Sequence, residues 1–576
     1  MAQNAEQIED LKKWLQRFYA SESYCTDFFK KGRENYKLYK CYKEGGEKVY
    51  KHDIFVPYSF AFMEDMTAYF MLSITASPII YSLEPRVRAI TPELCQELEQ
   101  IIHWALTDES CEFVLELEEL IKNVNIFNVG YIVNYPILGG DNNFQRMHFD
   151  TPSTLDVFPE PNVKRLSRMN WIIKKSWEAL NVLKEDEKKG EYRGVDESLG
   201  GYSDTDEVTK LLQEVGISTQ GNYYDPKTQR LELLDCMFDG HVVTVGGRRA
   251  VIRDTTKNEA KPFLHKFPML DCRMTGAPGE FFGFGLLESI KPLQKELNTL
   301  RSQRRDNISL ILNKLFIYDI LAGEVDLSTL YSAPGNVIVT TNKEALEELP
   351  ITDVTGSSYK EEQSLQYDMQ NVTNMWDYAR GATPKRRETA SGIIRLQQAA
   401  QGRNEWVLRK IDLYLLQPAC KRLLVYLREY LPRTEYEAIV GQESHAEEFY
   451  ALDPDQVKRF FKVQPMTESI ASLKEMNLNM FMQAFDRLIK MPMVNHIALI
   501  KQLLIKLGQK NIKEILPMLS PEAQGQVQEG VQQMNAQQAA MKELMMQQGA
   551  MGPMPGMMQG QGPMPQEMPI QPMTEE

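Results

Sequence analysis

The apolar residues Leu286, Ile290, Leu293, Leu297 and Leu300 step by 4, 3, 4 and 3 along the chain, and the same stripe runs on through Arg304 and Asn307 to Ile311. Only a helix brings positions so spaced onto one face, so this stretch predicts one long helix. A second stripe of Leu365, Met369, Val372, Trp376 and Ala379 repeats the pattern. Between the two lies a mixed segment, 313–360, with a strand candidate NVIVT after Ala-Pro-Gly, which reads as a small insertion between helices. A third helical pattern follows, with Val407, Ile411, Leu415, Ala419, Leu423, Leu427 and Leu431 four residues apart. Pro418 removes a backbone hydrogen bond inside it and predicts a kink near 414–418.

Upstream the period is different. YIVNY from Tyr131, HFDTPSTLDVFPEP and WIIKKSW are short aromatic and β-branched runs broken by Pro, Asp and Asn, which read as strands with turns. LELLDCMF, HVVTVGG and RRAVIRD form a second strand group, with Gly246-Gly247 as a hairpin turn. Residues 184–205, rich in charge, Gly and Ser, read as a solvated insertion. Residues 6–42 have the spacing of surface helices that bury one face. Residues 453–465 read as a strand between prolines and 467–516 as further helices. The apolar stretch Met66 to Leu83 reads as a buried helix followed by a strand, not a membrane span, because Glu64 and Asp65 sit at its edge. From Met551 the chain is Met, Pro, Gly and Gln, a composition that builds no core.

Chemistry is sparse. There is no phosphate-loop signature, no H-E-x-x-H, no G-x-S-x-G and no EF-hand loop, so no catalytic residue, metal site or cofactor is assigned. The seven Cys form no C-x-x-C pair, which suits a reducing compartment. The run GAPGEFFGFG from Gly276 lacks the lysine a phosphate loop uses. A net charge of -14 argues against a general DNA coat, so any nucleic-acid contact is local. The one compact group of bases is Lys385, Arg386 and Arg387, in a loop punctuated by Gly, Pro and Thr. Alone it is a weak site, but repeated around a ring it offers phosphate contacts.

In this order the segments resemble the portal proteins of tailed bacteriophages, especially the podovirus-like head-to-tail connector. The resemblance is carried by IFVPYSFAFMEDMTAYFMLSITASPIIYSLEP, by FDTPSTLDVFPEPNVKRLSRMNWIIKKSW and, most specifically, by KPFLHKFPMLDCRMTGAPGEFFGFGLLESIKPLQKELNTLRSQRRDN, a Phe-rich Gly-x-Gly followed by a Gln-and-Asn helix. It implies an α+β, predominantly helical portal fold with wing, stem, clip and crown, assembled as a cyclic ring of twelve subunits around a DNA channel. Carried onto this chain, N-terminal helices and wing take 1–283, the first stem helix 284–312, the clip 313–360, the second stem helix 361–380 and the tunnel loop 381–392. A kinked channel and wing helix takes 393–432, a wing return strand 433–466, crown helices 467–545 and a flexible tail 546–576. Stem helices of those lengths span roughly 43 and 30 Å.

The resemblance also implies roles. Lys385, Arg386 and Arg387 are the tunnel-loop DNA contacts, and Arg301, Arg304 and Arg305 are channel or stem candidates. Leu293, Leu297, Leu300, Met369, Val372 and Trp376 pack the stem or the subunit interface, and Pro418 kinks the long helix. Many relatives carry Thr-Ala-x-Glu where this chain has Glu388 followed by Thr389-Ala390-Ser391-Gly392. The implied partners are double-stranded DNA, the terminase large subunit, a head-tail adaptor, and major capsid and scaffolding proteins, at one capsid vertex of a virion assembled in the host cytoplasm. The portal is not an enzyme, since the motor chemistry belongs to the terminase. Two rivals are a tail-adaptor or scaffold ring without a DNA-gating role, and a metal-dependent nuclease.

Overall fold

The computed structural model describes residues 2–42, 50–77, 79–139, 143–199, 230–257, 262–313, 315–331, 337–351, 355–374, 402–441 and 444–466, with 482, 485 and 500 beyond them. The chain divides into two units, Met1–Glu475 and Met476–Glu576. All the elements below belong to the first. The expected crown, 467–545, and tail, 546–576, lie outside the described residues apart from those three positions.

Among the described residues helices predominate, with four separate sheets between them. Residues 6–42, expected as several helices, belong to one: α1 spans Ala2–Tyr39. Its inward face carries Trp14, Phe18, Cys25, Phe29 and Leu38, all buried, a continuous stripe that gives no reason to break. Helix α2 (Tyr58–Ile74) buries Phe62, Met63, Met66, Phe70 and Ile74 and is followed by β1 (Tyr81–Pro85), as its apolar run predicts. Helix α3 (Pro92–Thr107) starts where the Thr91 hydroxyl accepts from the Leu94 amide and Pro92 needs no donor. Helix α4 (Phe113–Phe127) packs on α2 and leads into β2 (Val129–Leu138), the centre of the sheet β3-β2-β9, with β3 at Phe144–Asp150 and β9 at Met269–Arg273.

The other strand runs form one antiparallel sheet in the order β4 (Val157–Pro159), β5 (Ile172–Ala179), β6 (Arg230–Phe238), β7 (His241–Gly246), β8 (Ala250–Asp254). Gly246 is the last residue of β7, paired with Ala250, and the turn into β8 is made by residues 247–249, where Gly247 and Arg248 both take a positive φ. The described part of the stretch 184–205 is mostly exposed, with Val195 and Ser198 buried, and it is folded: helix α5 (Leu180–Lys189) and the turn after it send Leu183, just before the stretch, and Val195 into a small core with Leu231, Leu233 and Ile252. Residues 200–205 lie outside the described part.

Helix α6 spans Leu286–Leu312, and α7 spans Thr355–Thr373, opening earlier than the stripe suggests. Asn374 then takes φ +57, a left-handed conformation that ends a helix, and 375–380 lie outside the described residues. Between α6 and α7 the strands are β10 (Phe316–Tyr318) and β11 (Leu346–Glu348), not NVIVT, of which the described part contributes only the bridge Val325 to Thr340. Helix α8 occupies 402–430. Its middle, Asp412–Leu416, is π-helical, immediately before Pro418. The wider turn relieves the clash between a proline ring and the preceding carbonyls, at the place where the sequence predicts a kink.

Residues 433–466, expected as a return strand, hold three short helices, α9 (Arg433–Val440), α10 (Ala446–Tyr450) and α11 (Pro454–Phe460), before β12 (Phe461–Pro465). Pro454 opens α11 and the Gln456 side chain accepts from the Asp453 amide at 3.0 Å, so the cap overrides the aromatic strand signal. β12 pairs antiparallel with β1, bringing the last strand of the unit against its first. No described helix is long and apolar enough to cross a membrane.

Candidate functional site

The Phe-rich loop before α6 is a clamp. Asn128, itself at φ +69, donates from Nδ2 to the carbonyls of Thr275 (2.8 Å) and Phe282 (2.6 Å) and accepts from the Thr275 amide (2.9 Å). Gly283, at φ +69, fits beneath it because a Cβ there would lie 2.2 Å from the Thr275 carbonyl. Phe282 stacks on Phe28 of α1 with centroids 3.9 Å apart. Arg273 lies over Phe281 at 4.5 Å and donates to its carbonyl. The start of α6 is thereby fixed to α1, and two ion pairs follow, Lys31–Glu288 at 3.7 Å and Lys291–Glu34. The Lys291 hydrogen bond holds the Glu34 carboxyl below its ordinary range.

The next turns of α6 carry a polar ladder at every fourth residue: Gln294, Asn298, Ser302 and Asp306. Alongside runs an extended strap, residues 51–57. The Ser59 amide donates to Gln294 Oε1 (3.1 Å), Val56 to Asn298 Oδ1 (3.0 Å), Ile54 to Ser302 Oγ (3.1 Å), and His52 and Lys51 to the two Asp306 oxygens (2.9 Å each). Alternate amides of an extended chain face one side, and helix residues four apart lie on one face, so His52, Ile54 and Val56 meet Asp306, Ser302 and Asn298, while the Ser59 amide comes from the first turn of α2. Gln294, Asn298 and Ser302 are buried, and Gln294 Nε2 returns a bond to the Val56 carbonyl at 2.6 Å. At Asp306 burial raises the carboxyl pKa, but the bonds from His52 and Lys51 outweigh it and leave it lowered.

On its other side α6 packs along α7. Leu297, Leu365 and Met369 are buried, and Leu293, Leu300 and Val372 pack partly buried against the same core. Farther along, one carboxylate serves two guanidinium groups: Glu362 pairs with both Arg304 and Arg301. Arg304 and Glu362 are buried, and Arg304 also lies 4.1 Å from the Tyr359 ring centroid and reaches Ser358 Oγ at 3.3 Å. Gln366 ties the layer to the start of α2, donating to Glu362 (3.3 Å) and to the Tyr58 hydroxyl (2.6 Å). Of the three arginines singled out in the sequence, Arg304 is enclosed between the helices, Arg301 is partly exposed and Arg305 is exposed. Trp376 and the basic loop residues Lys385, Arg386 and Arg387 lie outside the described residues.

Beyond the ionic layer the character reverses. Leu310, Leu312, Leu315, Ile317, Leu327, Tyr331, Val337 and Val339 are all exposed, as are Ile320 (78 %) and Leu321 (97 %). Among the described residues no three His, Cys, Asp or Glu side chains are grouped to hold a metal. The ladder, the Asn128 clamp and Glu362 are absent from the sequence-derived candidates. A polar i, i+4 series inside an apolar heptad stripe is the signal that finds the first, since such a face on a buried helix needs partners.

Helix α6 is thus clamped at its base and paired with α7, with an inserted segment between them in sequence, and the comparison with known families gives the class of protein, that of bacteriophage portal proteins. A family model described as Phage SU10 portal protein matches residues 239–547, more than half of the 576, and the chain belongs to that family. The match contains the clamp loop, α6, α7 and α8, while the strap and α1 lie outside it. No curated protein matches the chain.

Proposed function

We propose that this chain is the portal subunit of a phage virion: a noncatalytic component of a ring, twelve copies closing around a channel at one capsid vertex. Double-stranded DNA enters through it under a terminase motor and later leaves, and tail or adaptor proteins attach to it. In this reading α6 and α7 are the stem, 313–360 the clip and 381–392 the tunnel loop, whose Lys385, Arg386 and Arg387 contact DNA phosphates around the ring. Residues 1–283 and 433–466 form the wing and 467–545 the crown, and the ring is built in the host cytoplasm together with scaffolding and major capsid proteins.

Besides the family match, one observation carries this reading: the segment inserted in sequence between the paired helices leaves Ile320, Leu321 and other apolar side chains exposed. Contiguous exposed apolar surface marks an interaction site. A heterologous contact between identical subunits, repeated by rotation, closes a ring.

Negative-stain electron microscopy of the purified chain, with its mass in solution, tests the reading. A closed ring with a hole wide enough for a duplex is expected, and a monomer that stays monomeric with scaffold and capsid proteins present overturns it. The tunnel-loop assignment is tested separately with Lys385→Ala/Arg386→Ala/Arg387→Ala. Rings are expected to form while packaging or retention of DNA falls, and unchanged packaging and retention remove the loop from the account.

A further inference from the structure

The second half of α8 packs on β2, and there it holds a cation whose two contacts are neutral. Arg422, partly buried, donates from Nη1 to Asn134 Oδ1 at 3.0 Å and from Nη2 to the Met269 carbonyl at 3.1 Å. Asp271, the acid that acts on it, is committed to Arg273, whose Nε and Nη2 both donate to one of its oxygens at 2.9 and 2.7 Å. Burial pushes the Arg422 guanidinium down to about 10, against the pull of Tyr426 and Asp271, so the charge persists at neutral pH. Three polar atoms beside it are buried and have no hydrogen-bond partner among the described residues: Asn134 Nδ2, the Tyr426 hydroxyl and His265 Nε2. Asn134 and Tyr426 are wholly buried. Tyr426 stands one helical turn after Arg422, and the His265 ring meets the Tyr426 ring edge-on with centroids 5.3 Å apart. Burial, together with Arg422 and Lys458, pushes His265 down to about 3, which leaves a neutral imidazole with one proton to donate. Lys458 itself pairs with Asp455 at 3.2 Å.

We propose that Arg422, Asn134, Tyr426 and His265 bind one small monovalent anion of the chloride class beneath α8. The donor set selects the sign of the ligand. A guanidinium, an amide NH2, a phenol and a neutral imidazole can all donate, and none of the four is acidic. The charge selects an ion over water. Water would satisfy the three orphan atoms and leave the guanidinium uncompensated, whereas a charge taken out of solvent is costly unless it is paired. One positive charge in an enclosed place calls for one negative charge, since a dianion would only reverse the imbalance. The anion would pin the half of α8 beyond its π-helical turn to β2 and to the chain entering β9. The site lies within one copy of the chain, apart from the Asn128 clamp and the polar ladder, and does not need the ring to close.

The test is thermal unfolding of the full chain in sodium gluconate, with chloride or bromide replacing gluconate at constant ionic strength. Mass in solution is recorded in each salt, so that assembly is scored apart from ion binding. The wild-type midpoint is expected to rise with halide and saturate, by on the order of 2 °C, as for a ligand that binds only the folded state. Arg422→Gln is expected to abolish the rise, and His265→Phe to increase the half-saturating chloride concentration by about threefold or more. Tyr426→Phe gives the sharpest readout, because its sign depends on the salt. A buried hydroxyl without a partner is a cost, so in gluconate the variant melts at or above wild type, whereas in chloride it melts below it. Tyr426→Phe and His265→Phe carry the test if Arg422→Gln does not fold. The proposal is overturned by a wild-type midpoint indifferent to halide, or by the same rise in all three variants, which would be a general salt effect. It is overturned equally if Tyr426→Phe is destabilised to the same extent in both salts, which would assign the orphan atoms to water, or if the rise appears only where the mass in solution also changes.

Discussion

Along its middle turns α6 offers Gln294, Asn298, Ser302 and Asp306 to the strap, and its facing partner α7 supplies Glu362 to two arginines, whereas past Leu310 the same helix runs into a segment whose apolar side chains face outward. Both stretches contain polar and apolar residues in ordinary proportion. They differ in what the described residues show: the first stretch has hydrogen-bond and ionic partners within the chain, whereas the apolar side chains of the second are exposed.

Four variants sharpen or break this contrast. Glu362→Ala leaves the buried Arg304 without its carboxylate and is expected to cost about 3–5 kcal/mol, read by urea unfolding. Gly283→Ala forces a Cβ onto the Thr275 carbonyl at a positive φ, with an expected loss of about 2–3 kcal/mol in the same assay. Asn298→Leu strips the Val56 amide of its acceptor. A loss of about 1–3 kcal/mol should accompany faster hydrogen exchange across 51–57. Ile320→Ser/Leu321→Ser should change unfolding by no more than about 0.5 kcal/mol, because neither side chain is packed, and yet reduce the population of rings. If that last pair destabilised the fold as much as Glu362→Ala, the division between an internally satisfied base and an association surface would not stand.

The sequence makes the long helices legible because apolar residues at 286, 290, 293, 297 and 300 can share a face in no other way. Strand pairs around Gly246-Gly247 are legible for a similar local reason, a turn that glycine accommodates. Legibility ends where partners come from afar. Asn128 and Gly283 are 155 positions apart in the numbering, and nothing near either announces the clamp. The ladder residues look like a solvated face until residues 51–57 lie against them. At 453–465 the aromatic run suggested a strand throughout, and a proline with a capping glutamine decided its first half instead. Arg304, chosen as a channel candidate for its charge, sits between two helices because a carboxylate on α7 meets it there. The basic loop residues Lys385, Arg386 and Arg387, which stand out by composition and by the portal resemblance, lie outside the described part of the chain.

The strap has a parity. Its amides alternate sides, so removing one residue between His52 and Val56 would present carbonyls where Asn298 and Ser302 offer oxygens, while removing two would restore the facing and move each bond by one rung. The two repeats are also slightly unequal, about 6.0 Å for four helical residues against about 6.6 Å for two extended ones. Like a vernier, such a pairing holds only over a few divisions, and at its end Asp306 takes two successive amides with its two oxygens. The length of this segment is thus counted in pairs of residues and limited to a few of them, a restriction on insertions and deletions that falls on a stretch with no regular secondary structure of its own.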